Sequence, residues 1–279
     1  MATVPKRVAE RLTAGLKRYQ PILDAARSRD VNESDTSMIV SDMLADVFGY
    51  DKYNEITREL CVRGTYCDLA IRIDEKFQVL IEVKAIGVEL KEQHVRQVVD
   101  YAANHGTEWV ALTNGVNWKV FRVSFGKPID KELVVDINVP FLSGKNEDDI
   151  NKLFLLSRES MVKSALEEYH DQKQATNKYV LAAAILSDPV LEVVRRQLRR
   201  MSRDLRVETD DLKTAISQDV LKREVIEGEQ ADHARKKLSR AANRLLRILK
   251  TDEDSTGQPS TKPDATVSAA GASDTVKPD

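Results

Sequence analysis

The stretch F-Q-V-L-I-E-V-K-A at 77–85 constrains this chain more than any other feature. It is a short, nearly continuous apolar run rich in β-branched residues, the pattern of a mostly buried strand in the middle of a sheet. Two charges interrupt it near its end. Side chains alternate faces along a strand, so Glu82 and Lys84 point one way and Val83 the other. Ionised groups in an apolar strand are costly to desolvate unless they pair or bind an ion.

The flanking sequence supplies partners for that strand. E-L-C-V-R and Y-C-D-L-A-I-R-I, between 59 and 73, alternate as half-buried strands do, and Asp74 and Glu75 supply a turn. Residues 89–104 return to helical spacing through Leu90, Val95, Val98, Val99 and Ala102. W-V-A-L-T, then Asn114-Gly115, then N-W-K-V-F-R-V signal a hairpin, and 131–139 predicts a last strand. Upstream, Val8, Leu12, Leu16, Tyr19, Ile22 and Leu23 predict a helix over 5–29, which Pro21 should kink or split. The N-cap-rich N-E-S-D-T-S at 32–37 opens a second helix through Met38, Ile39, Met43, Leu44 and Phe48, ending at Gly49.

Strand signals vanish beyond 146. Residues 146–250 read as helices punctuated by Pro189 and Gly228, and 251–279, poor in apolar bulk, as a disordered tail. The predicted organisation is a mixed α/β domain over 1–145, a helical region over 146–250, and the tail. With 42% hydrophobic residues a real core is available. Aromatics at 5% argue against a stacking platform for single strands, and a net charge of −2 against binding nucleic acid over the whole surface. An enzyme with a local acidic site and separate basic patches fits that balance better. Cys61 and Cys67 read as buried small hydrophobes rather than a disulfide or zinc site. The start is polar, and no uncharged run is long enough for a membrane span, so the expectation is a soluble, cytoplasmic protein with no membrane partner.

An antiparallel return through the Asp74 turn brings Asp68 beside Glu82. Two adjacent carboxylates repel unless a cation lies between them, and Mg²⁺ uses one or two carboxylates plus waters and phosphate oxygens. Lys84 would orient or deprotonate an attacking water and stabilise the pentavalent phosphorus, with the metal as Lewis acid. A bare E-x-K triplet in a chain with 32% charged residues is usually a surface strand pair; the Asp on the preceding strand gives this one chemical meaning.

The order Asp68, I-E-V-K-A at 81–85, then Q-V-V-D-Y at 97–101 resembles the PD-(D/E)XK nuclease superfamily. More narrowly, residues 30–125 resemble the N-terminal nuclease domain of the R subunit of type I restriction enzymes. The resemblance implies a restriction-endonuclease-like α/β core and a Mg²⁺-dependent DNA endonuclease, with Mn²⁺ as a substitute, in phage defence or DNA repair. It implies Asp68, Glu82 and the Val83 carbonyl as metal ligands and Lys84 as the catalytic lysine. Gln97 would position the site, Tyr101 contact the DNA backbone, and Glu33 assist from its helix, where a helix-terminal carboxylate is an equal alternative. Two departures from the family pattern are Ser37 where Arg is common and Cys67 where Pro precedes the aspartate.

Those R subunits carry an ATP-driven motor, but no G-x-x-x-x-G-K-[ST] loop occurs here, so no nucleotide cofactor is expected. The basic runs at 195–206 and 235–250, including Arg240, Arg244 and Arg247, are candidates for DNA phosphates, or else the solvated face of packed amphipathic helices. Cutting both strands would favour a homodimer. The contrasting readings are a catalytically silent nuclease fold that binds DNA or a protein partner through its helical region, and a helical interaction protein whose α/β domain is only scaffold.

Overall fold

Bulky apolar residues on alternate positions of successive segments build one six-stranded sheet, in the computed structural model that describes residues 3–62, 64–201 and 206–255. Its strands, β1 (Ile56–Val62), β2 (Thr65–Ile73), β3 (Lys76–Val83), β4 (Trp109–Thr113), β5 (Asn117–Ser124) and β6 (Asp130–Asn138), lie in sequence order. All neighbours are antiparallel except β3 and β4, which run parallel. A parallel pair needs a crossover, here the helix Glu92–His105. The fold is therefore mixed α/β, as the sequence predicts.

Helices α1 (Lys6–Ser28) and α2 (Glu33–Asp46) bury Leu12, Leu23, Val40 and Met43 against Leu69, Ile71, Val79, Ile81 and Val83 in one core cluster. The crossover helix, α3, buries Val95, Val98, Val99 and Ala102 in a second cluster with Ala70, Leu80, Val110 and Leu112. Pro21 does not split α1, which runs unbroken. Pro21 and Lys17, whose carbonyl it leaves without its helical donor, both lie on the exposed side of the helix. Met38 and Ile22 are exposed rather than core residues, because Val40 and Leu23 take the inward positions. Cys67 is buried as expected, but Cys61 is exposed, lying on the β1–β2 hairpin near its tip.

The register of β2 on β3 matters most. Asp74 and Glu75 both have positive φ, 49° and 62°, giving a two-residue turn that pairs Ile73 with Lys76 and Arg72 with Phe77. A bulge follows. Ile71 then pairs with Val79, Ala70 with Leu80 and Leu69 with Ile81, leaving Gln78 as the extra residue. Without that extra residue the next position, Asp68, would face Ile81; with it, Asp68 faces Glu82.

Contacts divide the chain into two units, one ending at Gln174 and one beginning at Ala175. The first unit therefore extends beyond the 145 boundary expected from strand content. Helix α4 (Glu147–Phe154) buries Ile150, Leu153 and Phe154 in the α1–α2 core cluster, and Arg11 on α1 forms a two-point ion pair with Glu159 on α5 (Arg158–Val162). Helix α6 (Ala165–Ala175) adds Ala165 and Leu166 to the same core. The second unit comprises α7 (Lys178–Ile185), α8 (Asp188–Met201), α9 (Thr209–Ala215), a π-helical turn, α10 (Arg223–Ile226) and α11 (Glu229–Ser255). Pro189 sits in the first turn of α8, where its missing N–H costs nothing. Helix α11 continues past 250, and residues 256–279 of the expected tail lie outside the described residues.

Residues 1–174 expressed alone should unfold cooperatively, whereas residues 1–145 should show no cooperative transition, having lost the apolar groups of α4 to α6. Circular-dichroism melts of the two pieces check this.

Candidate active site

The site forms where the β2–β3 ladder stops. Leu69↔Ile81 is the last pair among the described residues, and beyond it the Asp68 side chain takes over from backbone. Its Oδ2 accepts a hydrogen bond from the Val83 N–H at 2.7 Å. Because a strand residue points its N–H and C=O to the same side, the Val83 carbonyl also faces this gap. On the other side of Asp68 from the gap, in β1, Glu59 adopts φ 51°, a left-handed conformation that costs a non-glycine residue about 1–2 kcal/mol. Its charge acts on Asp68.

On β3, Glu82 is 2% exposed. Its Oε1 accepts from the Lys84 ammonium at 2.6 Å, and its Oε2 is buried with no hydrogen-bond partner. Lys84 also lies 3.6 Å from the half-exposed Glu33 carboxylate at the start of α2. The Asn32 side chain caps that helix by accepting from the Asp35 N–H, so the N-cap pattern at 32–37 positions Glu33. Lys84 is held from the other side as well. Its backbone N–H donates to Thr113, and the buried Asn114 side chain donates to the Val88 carbonyl at 2.9 Å, tethering the segment after β3.

Burial and like charge make this cluster electrostatically tense. Desolvation pushes the Glu82 carboxyl up to about 7, aided by Asp68 and opposed by its bond from Lys84. Desolvation also raises Asp68, against the Val83 hydrogen bond and the Lys84 charge. For Lys84 burial acts downward, but the ion pair with Glu82 outweighs it and keeps the amine protonated. An acceptor as buried as Glu82 Oε2 leaves a place for a cation or a donor. Among the described residues, no cluster of three or more His, Cys, Asp or Glu side chains is arranged to hold a metal ion. What the site offers instead is two carboxylates and a backbone carbonyl.

Asp68, Glu82, Lys84 and Glu33 are thus brought together, with the Val83 backbone among them. Gln97 and Tyr101 lie on α3 and bond to each other, Gln97 Nε2 donating to the Tyr101 hydroxyl at 3.0 Å. Tyr101 is buried, and desolvation with the Glu82 charge raises its hydroxyl pKa. Arg240 is exposed on α11 in the second unit; the side chains of Arg244 and Arg247 lie outside the described residues. The sequence reading passed over Glu59, whose backbone nothing local foretells, and His94. Burial and the charges of Lys84 and Lys91 lower the His94 pKa, and its Nδ1 accepts from the Lys91 N–H in a capping box whose i, i+3 spacing was visible.

Residues 39–137 match the family of the type I restriction enzyme R protein N terminus. The matched segment covers Asp68, Glu82, Lys84, Gln97 and Tyr101 and is consistent with a PD-(D/E)XK nuclease-like domain of restriction type. Glu33 and the whole second unit fall outside it. Neither the curated proteins nor the solved structures give a match.

The folded protein keeps a proton on Glu82 up to about pH 7 that the unfolded chain releases near 4.5. Stability should therefore fall as pH rises through that window, by about 3 kcal/mol from this group, and level off above it. Asp68 contributes with the same sign from its own lower starting point. In EDTA the melting temperature should drop from pH 5 to pH 8, and Glu82→Gln should flatten the drop; thermal melts of both proteins across this range provide the check.

Proposed function

We propose that this protein is a Mg²⁺-dependent DNA endonuclease that hydrolyses phosphodiester bonds at the Asp68–Glu82–Lys84 site. The observation that carries the reading is the buried, unpartnered Glu82 Oε2 beside Asp68, with a protonated lysine against the same carboxylate. Two carboxylates repelling each other in a buried gap are relieved by a hard divalent cation. Mg²⁺ suits the donor set, since it takes one or two carboxylates and fills its remaining positions with water and phosphate oxygens. Asp68, Glu82 and the Val83 carbonyl would hold it, and Mn²⁺ would substitute. The bound ion would supply charge neutralisation at the scissile phosphate.

The remaining work falls to side chains. Lys84, fixed as an ammonium, hydrogen-bonds a phosphoryl oxygen and offsets the negative charge that grows as water attacks phosphorus. Glu33 shares the Lys84 ammonium and keeps it aimed across the gap. Gln97 and Tyr101 border the site from α3. DNA is the substrate class that the restriction-type family suggests, and the basic run of α11 would add phosphate contacts through Arg240, Arg244 and Arg247.

Incubating the full chain with supercoiled and linear plasmid in Mg²⁺, Mn²⁺ or EDTA tests this directly. Cleavage should occur with either metal, vanish in EDTA and fall ~100-fold or more in Lys84→Ala. A melting curve must show that this variant is folded. No cleavage by the wild-type protein in any metal would leave the silent, DNA- or protein-binding fold as the better account.

A further inference from the structure

Resting on that reading of the site, we propose that the β1–β2 hairpin enters a groove of duplex DNA and that the Tyr66 ring seats the nucleotide flanking the scissile phosphate. The hairpin extends beyond the rest of the sheet. While β2 stops pairing with β3 at Leu69↔Ile81, it continues pairing with β1 through Leu60↔Cys67, Cys61↔Tyr66 and Val62↔Thr65. A two-stranded ribbon of this kind has the dimensions to lie in the major groove of B-DNA.

Tyr66 is the chemical feature on that ribbon. It is 61% exposed, and among the described residues its side chain makes no hydrogen bond, ion pair or ring contact. Most of the ring is therefore left to solvent. It stands two residues from Asp68 on the same strand, about 7 Å along the chain at strand rise. That is the scale separating one nucleotide from the next, so a phosphate held at Asp68 carries its neighbour past Tyr66. An aromatic ring on a narrow ribbon gives the deoxyribose of such a nucleotide an apolar contact face independent of base identity. Glu33, Glu59, Asp68 and Glu82 make the site acidic, so an uncharged contact of this type supplements the phosphate contact of Lys84.

The test measures binding and cleavage separately, using the full chain. With Ca²⁺ in place of Mg²⁺, anisotropy of a labelled short duplex and of one of its strands gives Kd for wild type, Tyr66→Ala, Tyr66→Phe and Tyr53→Ala. Tyr53 is an equally dispensable exposed ring in the turn before β1. Tyr66→Ala should weaken duplex binding about tenfold, with Tyr66→Phe and Tyr53→Ala near wild type. In plasmid cleavage the same variant should raise KM about tenfold and leave kcat within about twofold. Unchanged duplex affinity in Tyr66→Ala overturns the proposal, as does equal loss in Tyr66→Phe or a larger loss for the single strand. A protein that binds duplex through Tyr66 but never cuts overturns the nuclease reading and the scissile-phosphate placement with it, while the hairpin's contact with duplex stands; a protein that binds no DNA overturns both.

Discussion

The hydrogen bond from the Val83 N–H to the Asp68 carboxylate organises everything around it. It sits where the β2–β3 ladder runs out, and it replaces a backbone acceptor with a charged side chain. A strand pair that simply continued would have filled this space with main chain. Because a carboxylate fills it instead, Glu82 has a neighbour of like charge and Val83 presents its carbonyl to an open gap. The left-handed residue Glu59 lies opposite Asp68, at the position where the β1–β2 register omits a pair. The charged gap and the hairpin beyond it both begin where β2 stops pairing with β3.

The surrounding layers make the gap costly, and the cost is informative. Glu82 is buried in the sheet, so its charge is held away from water, with Lys84 as its hydrogen-bond donor among the described residues. A fold selected only for stability would place an apolar residue there, since replacing buried ion pairs by packed side chains is often neutral or favourable. Retaining two acids and a lysine in such a place is what function at the site would demand. The Asn114 tether and the Asn32 cap hold Lys84 and Glu33 from either side, so the four groups are fixed by elements separate in sequence.

Much of this was legible in the residues. The apolar run at 77–85 announced the central strand, and its two misplaced charges announced the buried Glu82–Lys84 pair. Caps and glycines marked helix ends near the right places. What escaped was whatever depends on tertiary context. The helices after 146 read as a separate region because amphipathic spacing does not say which core an apolar face joins; Ile150, Leu153 and Phe154 join the first. Pro21 looked like a break, but a helix anchored by buried residues on one face tolerates a missing hydrogen bond on the wet face. Left-handed backbone at a glutamate and the approach of His94 to Lys84 have no one-dimensional signature.

The bulge at Gln78 has a consequence for how such sites vary. The turn at Asp74-Glu75 sets one register and the bulge resets it before the strands reach the acids. The count of residues between Asp68 and Glu82 is thus not what makes them meet, because turn and bulge can trade length against each other. Related chains can drift in that interval while keeping the acids opposed. Any template that demands a fixed interval will pass over them.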